Sequence, residues 1–123
     1  MPFEIREDAA HHIVEVVYPA EPSSQDVAEY LMKMKRTIDA QPGPWSCLVD
    51  QRELKVMEAQ LIERVSTLNR YAQSRGMLRS ARVVAGSVSA LQARKIAENA
   101  ALKAPVRAFS TRDEALAWLT SPG

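Results

Sequence analysis

The chain has 123 residues, 46% of them apolar and 25% charged, and its 16 basic and 15 acidic side chains give a formal net charge of +1. These totals describe one ordinary globular domain, long enough to hold a core without disulfide or metal staples, and they exclude a disordered chain. The near balance of charge argues against nucleic acid as a partner, because neutralising phosphates needs a basic excess.

Residues 3–6 and 12–18 read as two strands. The first alternates, with Phe3 and Ile5 on one side, and the second, HIVEVVY, is β-branched and apolar enough to be central. The polar stretch 7–10 between them predicts a hairpin, and Pro19 and Pro22 close the second strand. Ser23 or Ser24 then caps a helix with Asp26 in its first turn, where negative charge suits the helix dipole. Val27, Leu31, Met34 and Ile38 form its apolar face, and the run Gln41-Pro42-Gly43-Pro44 ends it.

Residues 45–49, WSCLV, read as a buried strand that ends in Asp50. A short loop follows, and a helix begins near Met57. It carries Leu61, Val65, Leu68 and Ala72 on one face, with Ile62 and Asn69 beside them, and Gly76 stops it as a left-handed terminal residue. Residues 79–86 hold a short buried strand, ARVVAG. Ser87 or Ser89 caps the next helix, with Leu91, Ala93, Ile96, Ala97 and Ala100. Pro105 precedes a strand at 106–109. Ser110 or Thr111 caps a last helix with Asp113 and Glu114 in its first turn and Ala115, Leu116, Trp118 and Leu119 as its apolar residues.

The order is therefore β-β-α-β-α-β-α-β-α. It predicts a single domain over residues 1–123 of the α/β class: one mixed, largely parallel sheet of about five strands covered by four helices, with right-handed crossovers. A strand that runs out into a loop and a helix start is where such domains place their chemistry or their switch, which singles out the stretch WSCLVDQRELKVMEAQL at 45–61.

Three pieces of sequence, in this order of elements, resemble the STAS family of sulfate-transporter and anti-sigma-factor-antagonist domains, and most of all its divergent anti-sigma-factor-antagonist-like bacterial branch. LVD at 48–50 looks like the family's third strand with its terminal aspartate. ELKVMEA at 53–59 occupies the place of the following loop and helix start, and STRDEALAWL at 110–119 is similar to the family's C-terminal helix. The resemblance covers nearly the whole chain as an order of elements and implies a STAS-like fold. In the anti-sigma-factor antagonists an Asp-Ser pair at the start of the second helix carries the phosphorylatable serine. Glu58 and Ala59 stand at that pair here. Phosphorylation works by adding charge at a helix N-terminus, and Ala59 has no hydroxyl to accept it. Ser66 and Thr67 lie two turns deeper. The resemblance thus implies an unswitched or differently switched member.

Other candidates are weaker. His11 and His12 are adjacent, and neighbours on a strand point to opposite faces, so they do not share a metal ion. The lone Cys47 sits in an apolar strand, where a thiol is inert; it permits no intrachain disulfide and suits a reducing compartment. Asp50 with Glu53 and Glu58 suggests an acidic cluster beside the strand end. Arg64, Arg70, Arg75, Arg79, Arg82, Arg94 and Lys95 make a basic stretch that reads as solvated helix faces, with an anionic ligand or acidic partner as the sharper reading. Gly86-Ser87 is only half of a phosphate-binding turn. Met32, Met34 and Met57 suggest an adaptable surface, except that helical spacing puts Met34 in the core.

No Ser-His-Asp order, HExxH, paired-cysteine motif or nucleotide fingerprint occurs. The N-terminal stretch MPFEIREDAA has no basic or apolar region of a signal peptide, and no apolar run approaches about 18 residues, so the expectation is a cytoplasmic protein without an integral membrane segment. The expected function is a non-enzymatic regulatory or protein-interaction module with no cofactor, metal or catalytic residue. Asp50, Glu53, Glu58, Ala59 and Gln60 are its interaction or switch-position candidates, facing another protein or a second copy of the chain. The alternative is a carrier of a small apolar or anionic ligand, suggested by the topological likeness of STAS-like folds to the lipid-exchange CRAL-TRIO fold; it requires a cavity under the helices.

Overall fold

A computed structural model describes residues 2–55 and 57–122; Val56, inside the ELKVMEA stretch, lies outside the described residues. The described chain forms β1 (Glu4–Asp8), β2 (Ile13–Val17), α1 (Ser24–Asp39), β3 (Trp45–Asp50), α2 (Ala59–Ser74), β4 (Met77–Val83), α3 (Gly86–Ala100), β5 (Val106–Phe109) and α4 (Arg112–Thr120). The order of elements is the expected one. The five strands lie side by side in chain order, β1 antiparallel to β2 and all later pairs parallel.

That sequential order fixes where the helices go. Right-handed crossovers between neighbours that always step the same way put their helices on one face. Accordingly α1, α2 and α3 share one core with Val14, Val16, Trp45, Cys47 and Val49 of the sheet, joined by Phe3. The side chains that alternate with these point to the other face. There Ile13, Leu48, Ala81 and Val83 meet Ala115 and Leu119 of α4. The last helix alone covers the back of the sheet, and the β1–β2 corner of that face stays charged, with Glu4, Arg6 and Asp8 exposed.

The termini of the elements follow local chemistry. Ser23 caps α1: its Oγ accepts from Asp26 N at 3.0 Å and the Asp26 carboxylate accepts from Ser23 N at 3.0 Å, a reciprocal capping box. Thr111 caps α4 through Glu114 N. Gly76 ends α2 with φ of +95°, which an L side chain adopts only with strain. Neither Ser87 nor Ser89 is the N-cap of α3. Ala85 holds that position, and Ser89, one turn inside, reaches back to accept from Ala85 N at 2.7 Å.

β4 starts two residues before the expected stretch 79–86 and ends at Val83, and a bulge interrupts it. Trp45 pairs with Met77 but Cys47 pairs with Ser80, so β4 spends three residues where β3 spends two. The extra residue inverts the alternation. Met77 faces α1–α3, Leu78 is left 57% exposed, and beyond the bulge Ser80 and Arg82 face the helical core while Ala81 and Val83 face α4.

Candidate functional site

The four parallel strands β2, β3, β4 and β5 deliver their connecting loops to one edge of the sheet, the C-terminal edge where open α/β sheets bind ligands and partners. The loop at 51–58 is the longest of them and is tied down at several points. Gln51 N donates to Val83 O at 2.8 Å, Leu54 N to Gln51 O at 3.1 Å, and Lys55 N to Ala20 O at 3.0 Å. Leu54 and Met57 turn inward and are buried, so two apolar anchors tie the loop to the core. Glu53, Glu58, Ala59 and Gln60 project from this scaffold and are exposed. Glu58 is the N-cap residue of α2 yet makes no capping bond with its side chain, and the first turn carries no acid. The positive end of the α2 dipole therefore faces solvent without a built-in counter-charge beyond Glu58 itself.

Two open grooves flank this ridge. One, of about 700 Å³, runs between Ala20, the loop residues Arg52, Glu53, Leu54 and Lys55, and the start of α3 at Ala85, Val88 and Ser89. The other, of about 610 Å³, separates Met57 and the first turns of α2, with Ala59 and Ile62, from Lys95, Glu98 and Asn99 on α3. Glu53 and Ala59 thus border different grooves.

Asp50 is set apart from the other candidates. It lies on the α4 face of the sheet, paired in register with Val83. Its Oδ1 accepts from Arg52 N at 3.1 Å and Nε at 3.0 Å, and its Oδ2 from Arg52 Nη2 at 2.8 Å. Partial burial raises the carboxyl pKa, but the Arg52 hydrogen bonds and the charges of Arg52 and Arg112 outweigh it and hold Asp50 below its ordinary value. The expected acidic cluster of Asp50, Glu53 and Glu58 does not form: the aspartate is spent on Arg52, and among the described residues no three metal-ligating side chains converge. Close to Asp50 is a pair that local sequence does not announce: Arg112, opening α4, donates through Nε at 2.8 Å and Nη2 at 2.7 Å to the buried carboxylate of Glu15 on β2.

The basic stretch is dispersed rather than gathered into a face. Arg70 donates to Asn99 O in the last turn of α3 at 2.9 Å, Arg79 to Trp118 O and Ser121 O at the end of α4 at 2.6 and 3.2 Å, and Arg75 sits 3.5 Å from Asp39 at the end of α1. Each cation sits at a helix C-terminus, where the dipole favours it. Arg82 corrects the expectation outright. It is 1% exposed, inside the α1–α3 core rather than on a solvated face. Its Nη1 donates to Gln51 Oε1 at 3.1 Å and its Nη2 to Asn69 Oδ1 at 2.8 Å. Sequence periodicity had no means of finding it, because the β4 bulge decides which way it points.

Other candidates fall in plain places. His11 pairs with Asp8 at 2.8 Å in the hairpin turn, and His12 precedes β2 with φ of +54°. Cys47 is buried and its thiol is pushed up to about 11 by burial, against a smaller opposing pull from Arg82. Met34 and Met57 are core residues and Met32 is exposed. Ser66 is fully buried and bonds Ile62 O at 2.7 Å and Ile96 O at 3.3 Å, joining α2 to α3. Gly86, at φ of +78°, opens α3 but brings no lysine or second glycine with it.

A five-stranded mixed sheet with this sequential order, three helices on one face and one on the other, is a STAS-like architecture. The family model described as SpoIIAA-like matches residues 13–120, and the chain belongs to the SpoIIAA-like family. No curated protein matches it significantly. Among solved structures, it is similar to an uncharacterized protein of the DUF3478 family with a SpoIIAA-like fold from Shewanella loihica PV-4, at a TM-score of 0.75 and 15% identity over 96% of this chain and 94% of that one. At that identity the likeness speaks for the fold. Among the described residues no helix is long and apolar enough to cross a membrane.

Proposed function

We propose that the protein is a regulatory or protein-interaction module that presents the loop and helix start at residues 50–60 to a partner protein or to a second copy of itself. The observation that carries this reading is the pairing of exposure with rigidity. Glu53, Glu58, Ala59 and Gln60 are exposed, while Leu54 and Met57 on the same segment are buried in the core. A recognition surface held in one conformation loses little entropy on docking. Family membership supports the class of function. Asp50 serves the surface from behind, orienting Arg52 at the rim of the groove.

Recognition of this kind is constitutive. Ala59 offers no hydroxyl at the position that resembles the family's phosphorylated serine, and Ser66, buried between α2 and α3, is closed to a kinase. The carrier reading has less support: the grooves beside α2 and α3 are open to solvent rather than closed beneath the helices.

Affinity purification from the native host with wild type and with a Glu53→Lys/Glu58→Lys double variant, together with light scattering of both, tests the reading. A partner or a dimer that wild type holds and the folded variant loses is the expected result. Equal capture by both, with both strictly monomeric, refutes it.

A further inference from the structure

The outer seam between α1 and α2 holds a further groove, of about 250 Å³, lined by Leu31 and Lys35 of α1 and by Arg64, Thr67, Leu68 and Tyr71 of α2. Its floor is apolar. Leu68 is buried, and Leu31 and Tyr71 are half-buried where they pack on the core. Three apolar side chains meeting one groove offer area that a ligand can remove from water.

The polar groups of the lining divide into two kinds. Some are already spent. Thr67 Oγ1 donates to Glu63 O at 3.0 Å and accepts from Arg70 Nη2 at 3.0 Å. The Tyr71 hydroxyl donates to Asp39, and that bond raises its pKa, so it stays protonated. Asp39 also faces Arg75 at 3.5 Å, which engages this carboxylate a second time. Lys35 and Arg64 are the other kind. Both are exposed, and among the described residues neither makes an ion pair. Lys35 Nζ stands 5.4 Å from the centre of the Tyr71 ring, so its charge sits directly at the apolar floor. The lining residues therefore carry two positive charges and no negative one. A lone surface lysine is a solvated charge and implies nothing. Two cations from different helices that share one apolar groove both attract an anion placed between them, beside a floor that keeps some of the water away.

We propose that the α1–α2 groove binds a small free carboxylic acid, with its carboxylate between Lys35 and Arg64 and its apolar body on Leu31, Leu68 and Tyr71. The two halves of the lining select this class together. An inorganic anion would leave the floor bare, and a neutral hydrocarbon would leave the cations unused. The volume limits the apolar part to one aromatic ring or a short alkyl chain. A planar carboxylate accepts two parallel hydrogen bonds from the Arg64 guanidinium, while the Lys35 ammonium acts as a point charge. The site is separate from the exposed surface at residues 50–60 and stands or falls independently of it.

The test is a titration of the isotope-labelled chain with phenylacetate at constant ionic strength, followed by NMR shifts. Wild type is expected to saturate at about millimolar ligand, as suits so small a molecule, with the largest shifts at Leu31, Lys35, Arg64, Thr67 and Tyr71. Phenethylamine, with the same ring and the opposite charge, should not bind. Lys35→Gln and Arg64→Gln should each weaken phenylacetate about threefold to fivefold, and the double variant about tenfold or more, with the ligand-free melting temperature nearly unchanged. Leu31→Ala keeps both cations and should weaken binding about threefold by removing part of the floor. An acetylated tripeptide ending in phenylalanine carries the same ring and carboxylate on a chain terminus. If it binds and phenylacetate does not, the groove takes a partner's C-terminus and the assignment to a free acid falls. Shifts that climb without saturating, shifts centred away from the groove, equal binding of amine and acid, or a double variant that binds as wild type does would each overturn the proposal.

Discussion

Two residues on β3 illustrate how one strand sorts chemistry between the faces of the sheet. Cys47 points into the helical core, and its thiol, raised to about 11 by burial, stays protonated at any physiological pH. The thiolate is the reactive form. Native protein at pH 8 should therefore ignore a thiol reagent and react with one equivalent only in denaturant; fast native reaction would show that the strand opens. Asp50 points the other way, and its lowered pKa gives a linkage of definite sign. A carboxyl that binds protons more weakly in the folded than in the unfolded state adds stability above its unfolded value and loses it as pH falls through the folded one. Asp50→Asn should accordingly be slightly less stable than wild type above about pH 4 and converge with it as pH falls, so that the acid limb of its stability–pH profile is flatter. The gain at stake is small, because Arg52 is 44% exposed and water screens the pair. Of these residues, Cys47 and the strand-end place of Asp50 are legible in WSCLVD. The partner of Asp50 is not, because a bidentate bond two residues along the chain depends on how the loop turns.

At the scale of elements, the helix ends separate what local pattern can reveal from what it cannot. The Ser23–Asp26 capping box and the Thr111–Glu114 start are written in the sequence because each closes within four residues. Ser23→Ala should cost about 1 kcal/mol in urea unfolding. α2 presents the opposite case: Glu58 occupies its N-cap without capping it. Glu58→Ser should stabilise the fold by about 0.5–1 kcal/mol, since serine is among the preferred caps. The same substitution should weaken the interaction proposed for this surface, so stability and binding are expected to move in opposite directions. If binding survives Glu58→Ser intact, the recognition surface does not include that carboxylate. The apolar faces of α1 and α2 are legible from three- and four-residue spacing. That of α3 is only partly so: Leu91 is exposed, while Ser89 and Gln92 are buried in its place. The β4 bulge is invisible to periodicity altogether. Strict alternation from Met77 would send Arg82 to the α4 face and Ala81 to the helical core, the reverse of what is found.

Over the whole molecule, the sheet order explains why one helix bears the back of the domain alone. With β2 to β5 stepping in one direction, only the segment after β5 is free to cross to the other face, and α4 does so over β3, β4 and β5. The element order in the sequence predicts helices on the sheet but not this division, because strand order depends on long-range pairing that no local pattern encodes. α4 has only nine residues and buries only Ala115 and Leu119, so its apolar contacts alone give it modest hold. Arg112 and Glu15 supply the rest. They lie 97 residues apart and join the last helix to the second strand by two short charged hydrogen bonds. Glu15 is buried and Arg112 is 44% exposed, so removing the two partners should not be symmetric. Arg112→Ala strands a carboxylate in the sheet and should cost about 2–3 kcal/mol. Glu15→Ala lets the arginine return to water and should cost less, about 1–2 kcal/mol. A double-mutant cycle in urea should return a coupling of about 1–2 kcal/mol, and hydrogen exchange should quicken in α4 before it does in α1 or α2. Additive losses with uniform exchange would mean that α4 is held by its apolar face after all.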